Sequence, residues 1–145
     1  QYVAANYLKA MQSYLTKDNL PKLERLVVTK SWWDTVDILD RVVGSLVYGK
    51  PELEERILQW SLSDNIWLRR VAIDHQLLRK EKTDVQLMEK ILFNNLDQTE
   101  FFINKAIGWA LRDYSKTNPE WVANFIEKNK ERMAELSIKE ASKYL

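Results

Sequence analysis

The chain has 145 residues, 46% hydrophobic and 30% charged, enough for one domain with a sizeable core. It has no cysteine and a single histidine, His75, which excludes disulfide frameworks and thiolate metal sites and leaves histidine catalysis or zinc binding almost no material. The net charge of +1 does not announce a nucleic-acid partner, but Glu52, Glu54 and Glu55 are bunched, so a neutral total can conceal one basic face.

With only three glycines and three prolines, and little alternation of β-branched with polar residues, the chain reads as helical throughout. It opens at Gln1, without methionine, inside a helical pattern, which reads as a fragment or a processed N-terminus. The first helix is expected over 3–16, with Tyr7, Leu8, Met11, Tyr14 and Leu15 on its apolar stripe. Residues 17–19 turn the chain, and Pro21 suits the first turn of a second helix that carries Leu23, Leu26 and Val27 inward. Ser31, with Asp34 three residues on, has the form of a capping box for a third helix ending before Gly49. Pro51 restarts the chain into a helix burying Leu53, Ile57, Leu58 and Trp60. Asp64 or Asn65 caps a helix over 66–80, Thr83 the next, and Thr99 the one carrying Phe101, Phe102, Ile103, Ala106, Ile107 and Ala110. Pro119 opens a helix with Trp121, Val122, Phe125 and Ile126, and Ser137 with Glu140 suggests a capping box for a short last helix.

The helices repeat. Trp32, Trp67 and Phe102 are spaced by 35 residues, and Val36, Val71 and Ala106 keep that interval. Paired amphipathic helices at such a period indicate an all-α solenoid of the HEAT or armadillo kind, built of antiparallel helix pairs around a concave groove. The tetratricopeptide period is similar, but its Trp, Gly, Tyr and Ala pattern is absent. Residues 1–145 are therefore expected to form a single helical-repeat domain. At the position of Thr35 the later repeats place Arg70 and Lys105, with Arg112 and Lys116 following at roughly helical spacing. Such a row of cations, with indoles between, suits a phosphodiester backbone.

Trp32 and Trp33 are successive on a helix and cannot face the same way. The repeat assigns Trp32 to the core and leaves Trp33 for the groove, one turn before Asp37. Most aspartates are solvated or paired, yet Asp37 lies between aligned core positions beside the presumed cationic row. Asp34 is assigned to capping and Asp40 to the surface. Trp109 follows Gly108, and a glycine inside a helix costs ~1 kcal/mol against alanine, so something is expected to pack close there. His75 reads as structural or exposed, and the basic segment over 128–143, interleaved with glutamates, as a solvated face. Glycine-rich phosphate loops, serine–histidine arrangements and metal clusters are absent, so no metal and no cofactor is expected.

Ser31-Trp-Trp-Asp-Thr-Val-Asp37, Trp67-Leu-Arg-Arg-Val-Ala-Ile73 and Phe101-Phe-Ile-Asn-Lys-Ala-Ile-Gly-Trp-Ala-Leu-Arg-Asp-Tyr114 resemble the AlkD family of bacterial DNA glycosylases. Ser115-Lys-Thr-Asn-Pro119 and the closing Leu136-Ser-Ile-Lys-Glu-Ala141 continue the likeness along the whole chain. The resemblance implies HEAT-like repeats and removal of alkylated purines, 3-methyladenine and 7-methylguanine, by hydrolysis of the N-glycosidic bond. By the same likeness Asp37 matches the catalytic aspartate, and Trp33 and Trp109 match tryptophans lining the lesion's sugar and backbone. Arg70, Arg112 and Lys116 match DNA contacts. It further implies N-terminal helices that this chain lacks, a duplex DNA partner carrying alkylated bases, action as a monomer, and no base-binding pocket, unlike most base-flipping enzymes. Without an apolar run of ~20 residues or a signal peptide, a cytoplasmic place near the bacterial nucleoid is expected. The competing reading is a non-catalytic repeat scaffold that binds DNA or protein, since fold alone does not fix function.

Overall fold

The computed structural model describes residues 2–11, 14–29 and 32–145, with the backbone alone at residue 2. Among the described residues there are nine α-helices, short 3-10 turns and no strand, as the scarcity of glycine, proline and alternating patterns dictates. Backbone contacts divide the chain into two compact units, Gln1–His75 and Gln76–Leu145.

The first unit holds α1 (Tyr2–Ala10), α2 (Leu20–Val28), α3 (Trp33–Val47), α4 (Pro51–Trp60) and α5 (Ile66–Asp74). Its centre is α3, which packs on α1, α2 and α5. Val36, Leu39, Val42, Val43, Leu46 and Val47 form its buried stripe, at the three- and four-residue spacing of one helix face. Each such side chain contributes roughly 1.5–3 kcal/mol when fully buried. Gly49 ends the helix at φ +70°, a left-handed position that favours glycine, and Pro51 starts α4. The Asn65 side chain caps α5, accepting from the Trp67 and Leu68 N–H groups at 2.9 and 3.2 Å. Gly44 sits where α3 meets the end of α5, and a Cβ there would lie 2.0 Å from the His75 carbonyl oxygen. Backbone cannot give way cheaply, so Gly44→Ala is expected to cost about 3 kcal/mol, the upper range for overpacking. Urea denaturation checks this, and a variant within ~0.5 kcal/mol of wild type, the size of an ordinary surface change, contradicts it.

The second unit holds α6 (Val85–Phe93), α7 (Phe101–Ser115), α8 (Pro119–Asn129) and α9 (Glu135–Ala141). Here α7 is the hub, packing on α8 and α9 through Ile103, Ala106, Ile107, Ala110 and Leu111. The close approach expected at Gly108 is made by α9, since a Cβ on Gly108 would lie 2.7 Å from the Glu140 Cβ.

The all-α helical-repeat fold is as read from the sequence, and its register is sound: Val36, Val71 and Ala106 are all fully buried. Several boundaries and faces differ. Helix α1 ends at Ala10, and Tyr7 and Tyr14 are exposed, because Ala5 makes the buried contact of this short helix. Helix α5 stops at Asp74, with Leu78 and Lys80 at positive φ values of 67° and 55° that no helix can continue. Asp84, not Thr83, caps α6, accepting from Leu87 N–H at 3.1 Å. Glu100, not Thr99, precedes α7. Ser137 lies inside α9, and its buried hydroxyl donates to the Asn104 carbonyl at 2.7 Å instead of capping. The expected cap at Ser31 lies outside the described residues; Trp32 is the residue flanking α3.

Candidate functional site

In the first unit the site grows from two facing helices. Asp37 on α3 and Arg70 on α5 are joined by a two-pronged fork: Arg70 Nε donates to Asp37 Oδ1 at 2.9 Å and Nη2 to Oδ2 at 3.0 Å. Two parallel charge-assisted hydrogen bonds fix the plane of the carboxylate as well as its position. Arg70 is only 2% exposed, whereas the Asp37 side chain keeps 22% of its surface open. Ionised carboxylates offer about four acceptor sites, so the fork leaves Asp37 acceptor capacity on its open side.

Two further acids stand behind this pair. Carboxylate oxygens of Asp37, Asp40 and Asp74 lie within 4.8 Å of one another, and both Asp40 and Asp74 are buried. Burial, followed by the charges of Asp74 and Asp37, pushes the Asp40 carboxyl well above its ordinary pKa, against the opposing pull of Arg41 and Arg70. For Arg70, burial acts to lower the pKa, but the hydrogen bonds to Asp37 and the charges of Asp74, Asp37 and Asp40 outweigh it and raise the value. An all-oxygen donor set of this kind is the type a hard cation takes, yet both Asp37 oxygens are already engaged by the guanidinium. Arg70 thus supplies positive charge beside this acidic cluster, bonded to Asp37 and felt by Asp40 and Asp74.

Three sequence-based placements change here. Arg70 is not displayed as a backbone-tracking cation, because its guanidinium is turned inward onto Asp37. Asp40, assigned to the surface, is 2% exposed, with Arg41 Nε 3.3 Å from its Oδ1. Trp32, assigned to the core, is 55% exposed and meets the half-buried Trp67 edge-on, ring centroids 5.7 Å apart. Since Trp32 precedes the first turn of α3, the buried stripe starts at Val36 and never takes in the indole. Trp33, one turn before Asp37, is 45% exposed. Asp34 still serves the helix start, but it accepts from Thr35 N–H at 2.8 Å. His75 is structural and buried, its Nδ1 2.7 Å from the Ala72 carbonyl oxygen.

In the second unit, the remaining predicted residues lie along α7, with Lys116 as the residue that flanks its C-terminal end. Lys105 Nζ lies 5.8 Å from the ring centroid of the half-buried Trp109 and binds Glu140 Oε1 at 3.1 Å. Arg112 Nη1 reaches the other oxygen of Glu140 at 3.4 Å, and its Nη2 donates to the Tyr144 hydroxyl at 3.0 Å. Lys116 is exposed, with its Nζ 5.1 Å from the Tyr144 ring centroid. Lys105, through its hydrogen bond and then its charge, together with Arg112 and Lys143, holds the Glu140 carboxylate below its ordinary pKa. Sequence reasoning passed over Glu140 as a cap residue and Tyr144 altogether. Glu140 lies 35 residues beyond Lys105, the repeat interval that already linked the helices, whereas Tyr144 lies 32 beyond Arg112 and off that register.

The whole chain, residues 1–145, matches the family described as DNA alkylation repair enzyme. Among solved structures, a predicted DNA alkylation repair enzyme from Enterococcus faecalis has 37% sequence identity and a TM-score of 0.91. That match covers 100% of this chain and 68% of the other. No curated protein matches the chain. The chain belongs to the DNA alkylation repair enzyme family, and its role lies in the repair of alkylated DNA. No described helix is long and apolar enough to cross a membrane.

Proposed function

We propose that this protein is a DNA glycosylase hydrolysing the N-glycosidic bond of cationic alkylated purines, 3-methyladenine and 7-methylguanine, in double-stranded DNA. The observation that carries this reading is Asp37: a carboxylate locked in plane by a buried arginine, still partly open, one helical turn from the exposed Trp33. Alkylation places positive charge on the purine, so the base departs with the bonding electrons as a neutral molecule. The charge then passes to the sugar, which becomes oxocarbenium-like. A fixed carboxylate stabilises that charge without reorganising, and it orients the water that adds to the anomeric carbon. The water's proton leaves to Asp37 or to solvent. In the first unit the indole face of Trp33 attracts the cationic sugar; in the second, Trp109 offers a like aromatic face, and Lys105, Arg112 and Lys116 serve the phosphodiester backbone. Arg70 holds Asp37 instead of touching DNA. Such an enzyme starts base excision repair, working as a monomer in the cytoplasm of a bacterium, at the nucleoid.

The fork itself favours one competing reading, in which Asp37 and Arg70 form a structural ion pair in a non-catalytic repeat scaffold. Chromatographic detection of free 7-methylguanine from methylated duplex DNA separates the two. The glycosylase reading expects release well above spontaneous depurination; release at the spontaneous rate, with enzyme in excess over lesions, rejects it and leaves the scaffold.

A further inference from the structure

The arrangement around Tyr144 is built, not incidental. The chain leaves α9 in a turn in which Lys143 N–H donates to the Glu140 carbonyl at 3.3 Å and Leu145 N–H to the Ser142 carbonyl at 3.0 Å. This turn brings the Tyr144 ring against one face of α7, where Arg112 and Lys116 are four residues apart and therefore neighbours. The Arg112 guanidinium carbon and the Lys116 ammonium nitrogen each lie 5.1 Å from the ring centroid. Yet the ring is 50% exposed, so the turn does not serve to bury it.

The direction of the hydrogen bond decides what the hydroxyl can do. Arg112 Nη2 donates to the phenolic oxygen, since a guanidinium has no acceptor. The phenol's own hydrogen cannot go to that guanidinium and remains to be donated elsewhere, in a patch that also holds Lys116 and Lys143. Glu140, an acid at this patch, has one oxygen on Lys105 and one on Arg112, and its hydrogen bonds run to those cations, not to the Tyr144 hydroxyl. A donor placed among cations whose near carboxylate is already engaged fits an anion supplied from outside.

We propose that Tyr144 completes a phosphodiester-binding site with Arg112 and Lys116 at the end of α7, donating its phenolic hydrogen to a phosphate oxygen. The hydrogen bond from Arg112, then its charge and those of Lys116 and Lys143, hold the phenol's pKa below its ordinary value, which strengthens the group as a donor. This site deepens the glycosylase reading and rests on it only in taking duplex DNA as the ligand.

Fluorescence anisotropy with an undamaged duplex, across about 50 to 200 mM salt, tests the proposal through Tyr144→Phe and Lys116→Ala. Tyr144→Phe keeps the ring over the cations and deletes only the hydroxyl. It is expected to weaken binding about ten-fold, as loss of a hydrogen bond to a charged group does. Its salt slope should equal that of wild type, because a neutral donor releases no counterion. Lys116→Ala should make the slope shallower by about one. Wild-type affinity in Tyr144→Phe beside a shallower slope in Lys116→Ala removes Tyr144 from the site and leaves DNA binding intact. A shallower slope in Tyr144→Phe also overturns the proposal, since the tyrosine would then act only by ordering Arg112. No binding by wild-type protein at any salt rejects the glycosylase reading itself. Thermal melts matched to wild type confirm that both variants are folded.

Discussion

Asp37→Asn is expected to lower release of 7-methylguanine from methylated duplex DNA by about 10²–10³-fold, the scale seen when one preorganised electrostatic group is removed from a transition state. The substitution preserves the size and planarity of the side chain but removes its charge. A carbonyl oxygen can still accept one prong of the Arg70 fork, while the amide nitrogen turns a donor toward the guanidinium where Oδ2 stood. What is lost is the field that stabilises an oxocarbenium-like sugar and the acceptor that orients water. Affinity for undamaged duplex should stay equal or rise, because a negative charge has gone. The measurement is single-turnover base release beside anisotropy on the same variant. Release within a few-fold of wild type removes Asp37 from catalysis, whereas a parallel loss of release and binding points to a misfolded first unit.

How much of this was legible beforehand depends on the length scale of the physics involved. The helical class and the 35-residue register were visible because burial repeats at helical spacing along α3, α5 and α7; Val36, Val71 and Ala106 needed no tertiary information. Asp37 was singled out by its neighbourhood with Trp33 and by family likeness. Helix ends were harder, because the alternatives at Thr83 and Asp84, or at Thr99 and Glu100, differ by one residue and by about a kcal/mol of capping. Tertiary packing decided the rest. Trp32 looked like core by register, but it lies one residue ahead of the first turn of α3, where the stripe has not begun. Gly44 gave no local sign of its role, since the carbonyl it makes room for comes from His75, 31 residues on. Arg70 was misjudged for the same reason. A cation in a register row reads as displayed to a ligand until one sees it buried and forked onto Asp37, with the buried Asp40 and Asp74 close behind.

That arginine gives the second large effect. Arg70→Met keeps a long, unbranched side chain in the space but withdraws the buried charge that faces Asp37, Asp40 and Asp74. Removing one partner from a buried ionic cluster leaves the others uncompensated and typically costs 3–5 kcal/mol, and about that loss of stability is expected at pH 7. The pH dependence shows whether charge is the cause. In the wild type, Asp40 already has a raised pKa, first from burial and then from Asp74 and Asp37. The folded state therefore binds more protons than the unfolded one, and stability from this group is lost as pH rises from the ordinary carboxylate range through the raised value. Without Arg70, whose charge pulls the other way, the Asp40 carboxyl is pushed further up and the same window widens. The variant should then recover stability relative to wild type as pH falls from about 7 to about 5. Urea denaturation at the two pH values reads this directly; a deficit that does not change with pH would assign Arg70 a packing role alone. Base release should fall with stability restored at low pH, because Asp37 is no longer held in plane. The salt dependence of duplex binding should be unaltered, since a guanidinium 2% exposed and forked onto Asp37 neutralises no phosphate. A slope shallower by about one would instead return Arg70 to the DNA-contacting role that the sequence alone suggested.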